Sequence, residues 1–332
     1  MDVPVWMWAA TIGIIVAMLA FDFVGHVRTP HAPTLKEASW WSAGYVGIAI
    51  LFGVGIWAYF GSVYGGEYFA GYITEKSLSV DNLFVFVLIM TSFRVPRLYQ
   101  QKVLLIGITI ALVLRTIFIF LGAALIENFS WVFYIFGAFL IYTAYAQIKS
   151  ARSHDEEEYQ ENAVLRLTRR LFPTTDAYVE DKMFTTISGK RYITPMLIVM
   201  IAIGSADLLF AVDSIPAIFG LTQETFLVFA ANAFSLLGLR QLYFLIDGLL
   251  DRLVYLAWGL AAILGFIGIK LLIHAMHTNE IPFINGGEHI TFLPEISTAV
   301  SLGFIVVTLA ITTIASLAKD RSDRRRLEKE TY

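Results

Sequence analysis

The chain has 332 residues, 57% of them hydrophobic and 15% charged, with a mean hydropathy of +0.68 and a net charge of −3. A soluble domain carries about 25% charged residues, so the composition excludes an ordinary globular protein and points to an all-α, polytopic membrane protein. Without cysteine the chain has no disulfides, thiol catalysis or iron–sulfur centres, and its near-neutral charge gives no reason to expect a nucleic-acid partner.

Nine apolar runs are long enough to cross a bilayer: Trp6–Val24, Trp41–Phe60, Phe69–Phe93, Val103–Ile126, Trp131–Ile148, Thr194–Phe219, Phe226–Leu245, Leu253–Ile273 and Ile296–Leu317. The opening residues MDVPVWMW lack the basic region of a secretory signal, so the first run is expected to be a true span. Tryptophans at span ends (Trp6, Trp41, Trp131) suit the bilayer interface. The connections after spans 1, 3, 5 and 7 and the tail carry Lys and Arg, among them Arg28, Lys36, Arg94, Arg97, Lys102 and Arg252, whereas the others carry none. The bias sets the amino terminus outside and the carboxyl terminus in the cytoplasm of an inner, or cell, membrane.

The chain divides into helices 1 and 2 (1–68), a three-helix unit (69–150), a cytoplasmic loop (151–193), a second three-helix unit (194–275), an outer loop with helix 9 (276–318) and a basic tail (319–332). The loop, with HDEEEY and RLTRRLF, is too short for its own core and is expected to form a surface helix or two. The units share motifs: Leu114-Arg115 before TIFIF matches Leu239-Arg240 before QLYF, and YIFGAFLIYT and LAAILGFIGIK are both glycine-bearing. Three spans per unit make consecutive units enter the membrane from opposite sides, an inverted repeat of the kind seen in secondary transporters.

Each unit opens with an acidic stretch inside its first span: EKSLSVDNLF from Glu75 and GSADLLFAVDS from Gly204. Glu75 precedes Asp81 by six residues, Asp207 precedes Asp213 by six, and a polar residue, Asn82 or Ser214, follows. Seven residues make about two helical turns, so Glu75 shares a face with Asn82, and Asp207 with Ser214. Asp81 and Asp213 point about 120° away unless the helix breaks, which Pro216 makes plausible in the second copy. A carboxylate at mid-membrane costs roughly 2.5–3.5 kcal/mol, so four require pairing, protonation or a wet cavity. Glu75, Asp81, Asn82, Asp207, Asp213 and Ser214 together form an oxygen-only candidate site for Mg²⁺, Ca²⁺ or Mn²⁺.

Arg115 and Arg240 lie deep in spans 4 and 7 and are candidate counter-ions for these acids, as is Lys76 beside Glu75. Asp22 near the end of span 1 reads as a solvated helix end, with a cytoplasmic gate as the sharper alternative. His274 and His277 in the outer connection are expected to be solvated. No phosphate-binding GxxxxGK[ST] loop and no hydrolase signature occurs, so neither an ATP motor nor an enzyme is expected, and no resident cofactor.

EKSLSVDNLFVF at Glu75, DLLFAVDSIPAIF at Asp207, LRTIFIFLG and LGLRQLYFL are similar to segments of the TerC family of integral membrane proteins, related to the LysE transporter superfamily. The resemblance runs from about Phe21 to Ser316. It implies export of divalent metal, chiefly Mn²⁺; the oxygen-only site adds Ca²⁺ as a second candidate, and the inverted units add alternating access as the expected mode. Some members are linked instead to tellurite resistance or membrane-protein assembly, which implies a non-transporting partner of other membrane proteins or a homo-oligomer. Many members carry another acid where this chain has Gly204.

Overall fold

A computed structural model of the chain describes residues 1–27, 34–152, 166, 168, 170, 172–175, 178–187, 189–246, 255–282 and 284–330, with the backbone alone at 81, 84, 152, 246 and 322–330. Arg28, Arg252 and the HDEEEY run lie outside the described residues.

The fold is all-α and membrane-spanning. Helices α1 (Val5–Asp22, continued by a π-helical turn Phe23–Val27) and α2 (Leu35–Phe60) precede α3 (Ser62–Ser92), α4 (Arg97–Asn128) and α5 (Val132–Arg152). After a hairpin of β1 (Phe184–Ile187) and β2 (Lys190–Ile193) come α6 (Pro195–Phe219), α7 (Thr225–Leu237), α8 (Leu239–Ile246), α9 (Leu256–His277) and α10 (Thr298–Glu330). Among the described residues, eight segments are long and apolar enough to cross a membrane. The exception among the nine expected spans is α3. At 31 residues it is long enough, but it carries Glu67, Glu75, Lys76, Asp81 and Asn82. Two of these point into the bundle: Glu75 is fully buried and Asn82 is nearly so.

Two expectations about helix continuity are corrected. Pro216 does not break α6, which runs unbroken to Phe219. Span 7 does break: α7 ends at Leu237, Gly238 takes φ −87° and ψ 3°, and α8 starts at Leu239. Lys76 Nζ donates to Ser235 O at 3.0 Å, satisfying one of the carbonyls near this helix end. The described part of the 151–193 loop is also not purely helical. Its β-branched and aromatic residues pair as an antiparallel hairpin, Phe184 opposite Ile193, with Gly189 in the turn at φ +77°.

The two three-helix units pack symmetrically. Tyr178 donates to Phe93 O at 2.8 Å, Lys102 binds Asp181 at 2.6 Å, and Thr194 N donates to Met183 O at 3.0 Å. These contacts place the start of α6 on the face where α3 ends, so α6 crosses the bundle opposite to α3. Exchanging the units maps α3 against α7 onto α6 against α4, and both pairs are in close contact. The pair α5 and α9 maps onto itself. It crosses at the glycines of the two matching segments: a Cβ on Gly268 would lie 2.9 Å from Gly137 O, and a Cβ on Gly137 2.9 Å from Gly268 O.

Such backbone proximity tolerates no side chain without displacement. Gly137→Leu and Gly268→Leu should each lower stability by about 1–3 kcal/mol. Gly13→Leu should change little, because nothing lies within 4 Å of a Cβ there. Thermal unfolding in detergent checks the contrast.

Candidate metal centre

Helix α3 carries Glu75 and Asn82 on one face, α6 carries Asp207 and Ser214 on one face, and both faces turn to Arg115 of α4. Arg115 Nε donates to Asp207 Oδ2 at 2.7 Å and Nη2 to Asp207 Oδ1 at 3.0 Å. Nη1 donates to Glu75 Oε1 and, at 3.2 Å, to Ser214 Oγ. With the Asn82 amide turned to suit both neighbours, its nitrogen donates to Leu78 O at 3.0 Å and its oxygen accepts from Arg115 Nη2 at 3.3 Å. These contacts engage every N–H of the guanidinium. Arg115, Glu75 and Asp207 are each 0% exposed, so two carboxyl groups share one guanidinium.

The remaining carboxylates lie differently. Asp213, one residue before Ser214, is turned out of this cluster and half-buried. Together with Asn82, Thr143, Gln147 and Ser150 it lines a cavity of about 300 Å³ between α3, α5 and α6. Because α6 stays regular through Pro216, Asp207 and Asp213 remain on different faces. Asp81 lies in the helical backbone of α3, and its side chain is outside the described residues. Thr143 and Gln147 were not foreseen from the sequence; α5 showed no acid to draw attention to it.

The second arginine is used otherwise. Arg240 donates through Nη2 to Asp22 Oδ1 at 2.9 Å and through Nη1 to Gln101 Oε1 at 2.8 Å, so the structure takes it to the end of α1 and not to the central carboxylates. The reading of Asp22 as a solvated helix end is corrected with it: Asp22 is 1% exposed and ion-paired. Lys76, expected beside Glu75, instead reaches α7 at Ser235 O.

The packing at position 204 leaves little room for an acid. A Cβ there would meet Ile110 Cγ2 at 2.9 Å, so α4 packs too closely on α6 to admit a carboxylate without moving. His274 sits between Gln223, at 2.7 Å, and Glu295, at 3.3 Å, on the rim of a 620 Å³ cavity at the far end of α3 that also contains Glu67 and Lys270. Among the described residues no cluster of three His, Asp or Glu is close enough to hold a metal by itself.

The family model described as "Integral membrane protein TerC family" matches residues 60–324. The chain belongs to this family. An uncharacterized membrane protein of Mycobacterium tuberculosis is 56% identical over 312 residues, covering 93% of this chain and 78% of that protein. One of Myxococcus xanthus is 41% identical over 315 residues, covering 95% and 93%. Alx of Escherichia coli K12, whose name describes a proposed membrane-bound redox modulator, is 37% identical over 325 residues, covering 95% and 96%. No solved structure matches.

Removing one partner of a buried ion pair leaves the other charge uncompensated, at about 3–5 kcal/mol. Arg115→Met should therefore destabilise the TerC-family fold by this much, and adding Glu75→Gln and Asp207→Asn should recover most of it. Unfolding midpoints of the single and triple variants in detergent measure both effects.

Proposed function

We propose that this protein is a secondary exporter of hard divalent cations, Mn²⁺ first and Ca²⁺ second, working by alternating access between its inverted units. The observation that carries this reading is the position of the buried carboxylates. Glu75 and Asp207 come from the two units and meet at one arginine deep in the bundle, while Asp213 and Asn82 stand beside them on a cavity. Binding sites at the interface of inverted repeats are the rule for transporters of this construction.

In this reading Arg115 is the resident cation of the empty carrier. A dication entering by the Asp213 cavity competes for the Asp207 and Glu75 oxygens, and the guanidinium withdraws as the metal binds. Carboxylate, amide and hydroxyl oxygens suit a hard ion and leave discrimination among Mn²⁺, Ca²⁺ and Mg²⁺ to size and coordination number. The Lys and Arg bias of the connections supports reading Arg94, Arg97 and Lys102 as cytoplasmic. The Asp213 cavity reaches Ser150 near the end of α5 on that same side, so ions would enter from the cytoplasm and leave outward.

One observation favours a second reading. Arg115 satisfies Asp207 in full, as a purely structural clamp would, in a membrane partner that assists other proteins. The name of the Alx relative suggests redox modulation; with no cysteine in these 332 residues, such a role here would not use thiol chemistry of this chain.

Mn²⁺ uptake into inside-out vesicles separates the two. The parent should accumulate Mn²⁺, and Asp213→Asn and Asp207→Asn should each reduce the rate at least tenfold while still inserting. Metal binding without flux in the parent would favour the clamp, and unchanged flux in both variants would remove this site from the transport path.

A further inference from the structure

Among the described residues several buried polar atoms have no hydrogen-bond partner, among them Thr74 Oγ1 beside Glu75 and both amide atoms of Asn232. Asn232, in the otherwise apolar helix TFLVFAANAFSLL, is 1% exposed. Neither its amide nitrogen nor its amide oxygen has a hydrogen-bond partner among the described residues, and the same holds for Glu75 Oε2. Buried polar atoms are paired in the great majority of cases, and exceptions mark strain, function or an absent water or ion.

The packing of α7 places the amide. A Cβ on Gly71 of α3 would lie 3.4 Å from Ala231 Cβ, Lys76 Nζ is 3.0 Å from Ser235 O, and the Ser79 and Ser235 hydroxyls are 3.4 Å apart. The 71–79 segment of α3 thus runs alongside 231–235, and Asn232 is level with the turn that carries Glu75. Ala231 and Ser235 face α3. Phe229 lies on Trp8, its centroid 5.6 Å away, and Trp8 in turn meets Phe120 of α4 at 5.9 Å. At 100° per residue, Asn232 falls between the line that faces α3 and the line of Phe229, which faces Trp8 of α1; α7 also packs on α4, the helix whose Arg115 meets Glu75. Phe234 points elsewhere, to Phe52 of α2 at 4.7 Å.

We infer that Asn232 is a ligand-in-waiting for the transported cation: its amide oxygen and Glu75 Oε2 form the half of the centre that Arg115 leaves open. Arg115 uses Glu75 Oε1 only, which leaves Oε2 unpaired among the described residues, and Glu75 lies one turn from Gly71 and from Ser79, the residues of α3 that meet Ala231 and Ser235 of α7. An amide oxygen beside a carboxylate oxygen is a normal pair of ligands for a hard dication. The nitrogen atom of the amide stays available to a water or to a backbone carbonyl of the partly dehydrated ion's surroundings. This inference rests on the exporter reading and adds to it a third helix, α7, as a contributor of ligands.

The test compares the parent with Asn232→Leu, which removes the oxygen at similar volume, and Asn232→Asp, which keeps an oxygen and adds charge. Two quantities are read: the half-saturating Mn²⁺ concentration for vesicle uptake, and the rise in unfolding temperature on adding Mn²⁺ to detergent-solubilised protein. Loss of even an outer-shell partner of a metal costs about 10–100-fold in affinity, so Asn232→Leu should raise the half-saturating concentration at least tenfold and abolish the Mn²⁺-dependent rise. Asn232→Asp should keep or increase that rise, and it decides the matter should the leucine variant fail to fold. A parent that responds to Mn²⁺ while both variants respond alike would overturn this role and leave the exporter reading intact. A parent that neither transports Mn²⁺ nor is stabilised by it would overturn both.

Discussion

The structure depends on one guanidinium. Arg115 is the point at which α3 of the first unit and α6 of the second are tied to α4, through direct side-chain contacts. Such an arrangement is not a source of net stability in itself, since desolvating three ions offsets most of their attraction. What it supplies is specificity. Any shift of α6 along α4 would separate Asp207 from a bidentate donor and leave charges in a medium that cannot solvate them. The close helix contacts at Gly107 on Ile203 and Gly204 on Ile110 hold the same register by shape.

The two units share a plan but not a conformation. In the first, α4 is continuous through Arg115 and delivers it to the centre. In the second, the chain breaks at Gly238, with Lys76 close against the break: a Cβ on Gly238 would meet its Nζ at 2.9 Å. Arg240 just beyond it is bound to Asp22 and Gln101. The result is one arginine engaged with both central carboxylates and its counterpart engaged at the end of α1. An exporter that rocks between two states needs such an inequality, because two units in identical conformations would face both sides alike.

Much of this was legible in the sequence for simple physical reasons. Long apolar runs reveal spans without any knowledge of packing, and the i, i+7 spacing of Glu75 with Asn82 and Asp207 with Ser214 correctly placed each pair on one helical face. The segments YIFGAFLIYT and LAAILGFIGIK were legible as matching parts of a repeat, but that Gly137 and Gly268 form the α5–α9 crossing is visible only in the packing. Other features depend on partners far away in the chain. Pro216 looked like a break, yet tertiary packing keeps α6 regular, whereas Gly238 broke a helix that its apolar neighbours suggested would continue. Asp22 looked solvated because its partner, Arg240, is 218 residues distant. Asn232 is a lone amide in an apolar run, a signal visible in the sequence but weak beside four carboxylates.

The central claim is that metal and Arg115 compete for the same carboxylates. Its most direct test is a structure of the protein grown with Mn²⁺, using anomalous scattering to locate the ion. The account predicts one peak within roughly 2–2.6 Å of oxygens from Glu75 or Asp207, with the Arg115 guanidinium drawn away from them. An intact Arg115–Glu75–Asp207 cluster, with Mn²⁺ bound only elsewhere, would contradict it.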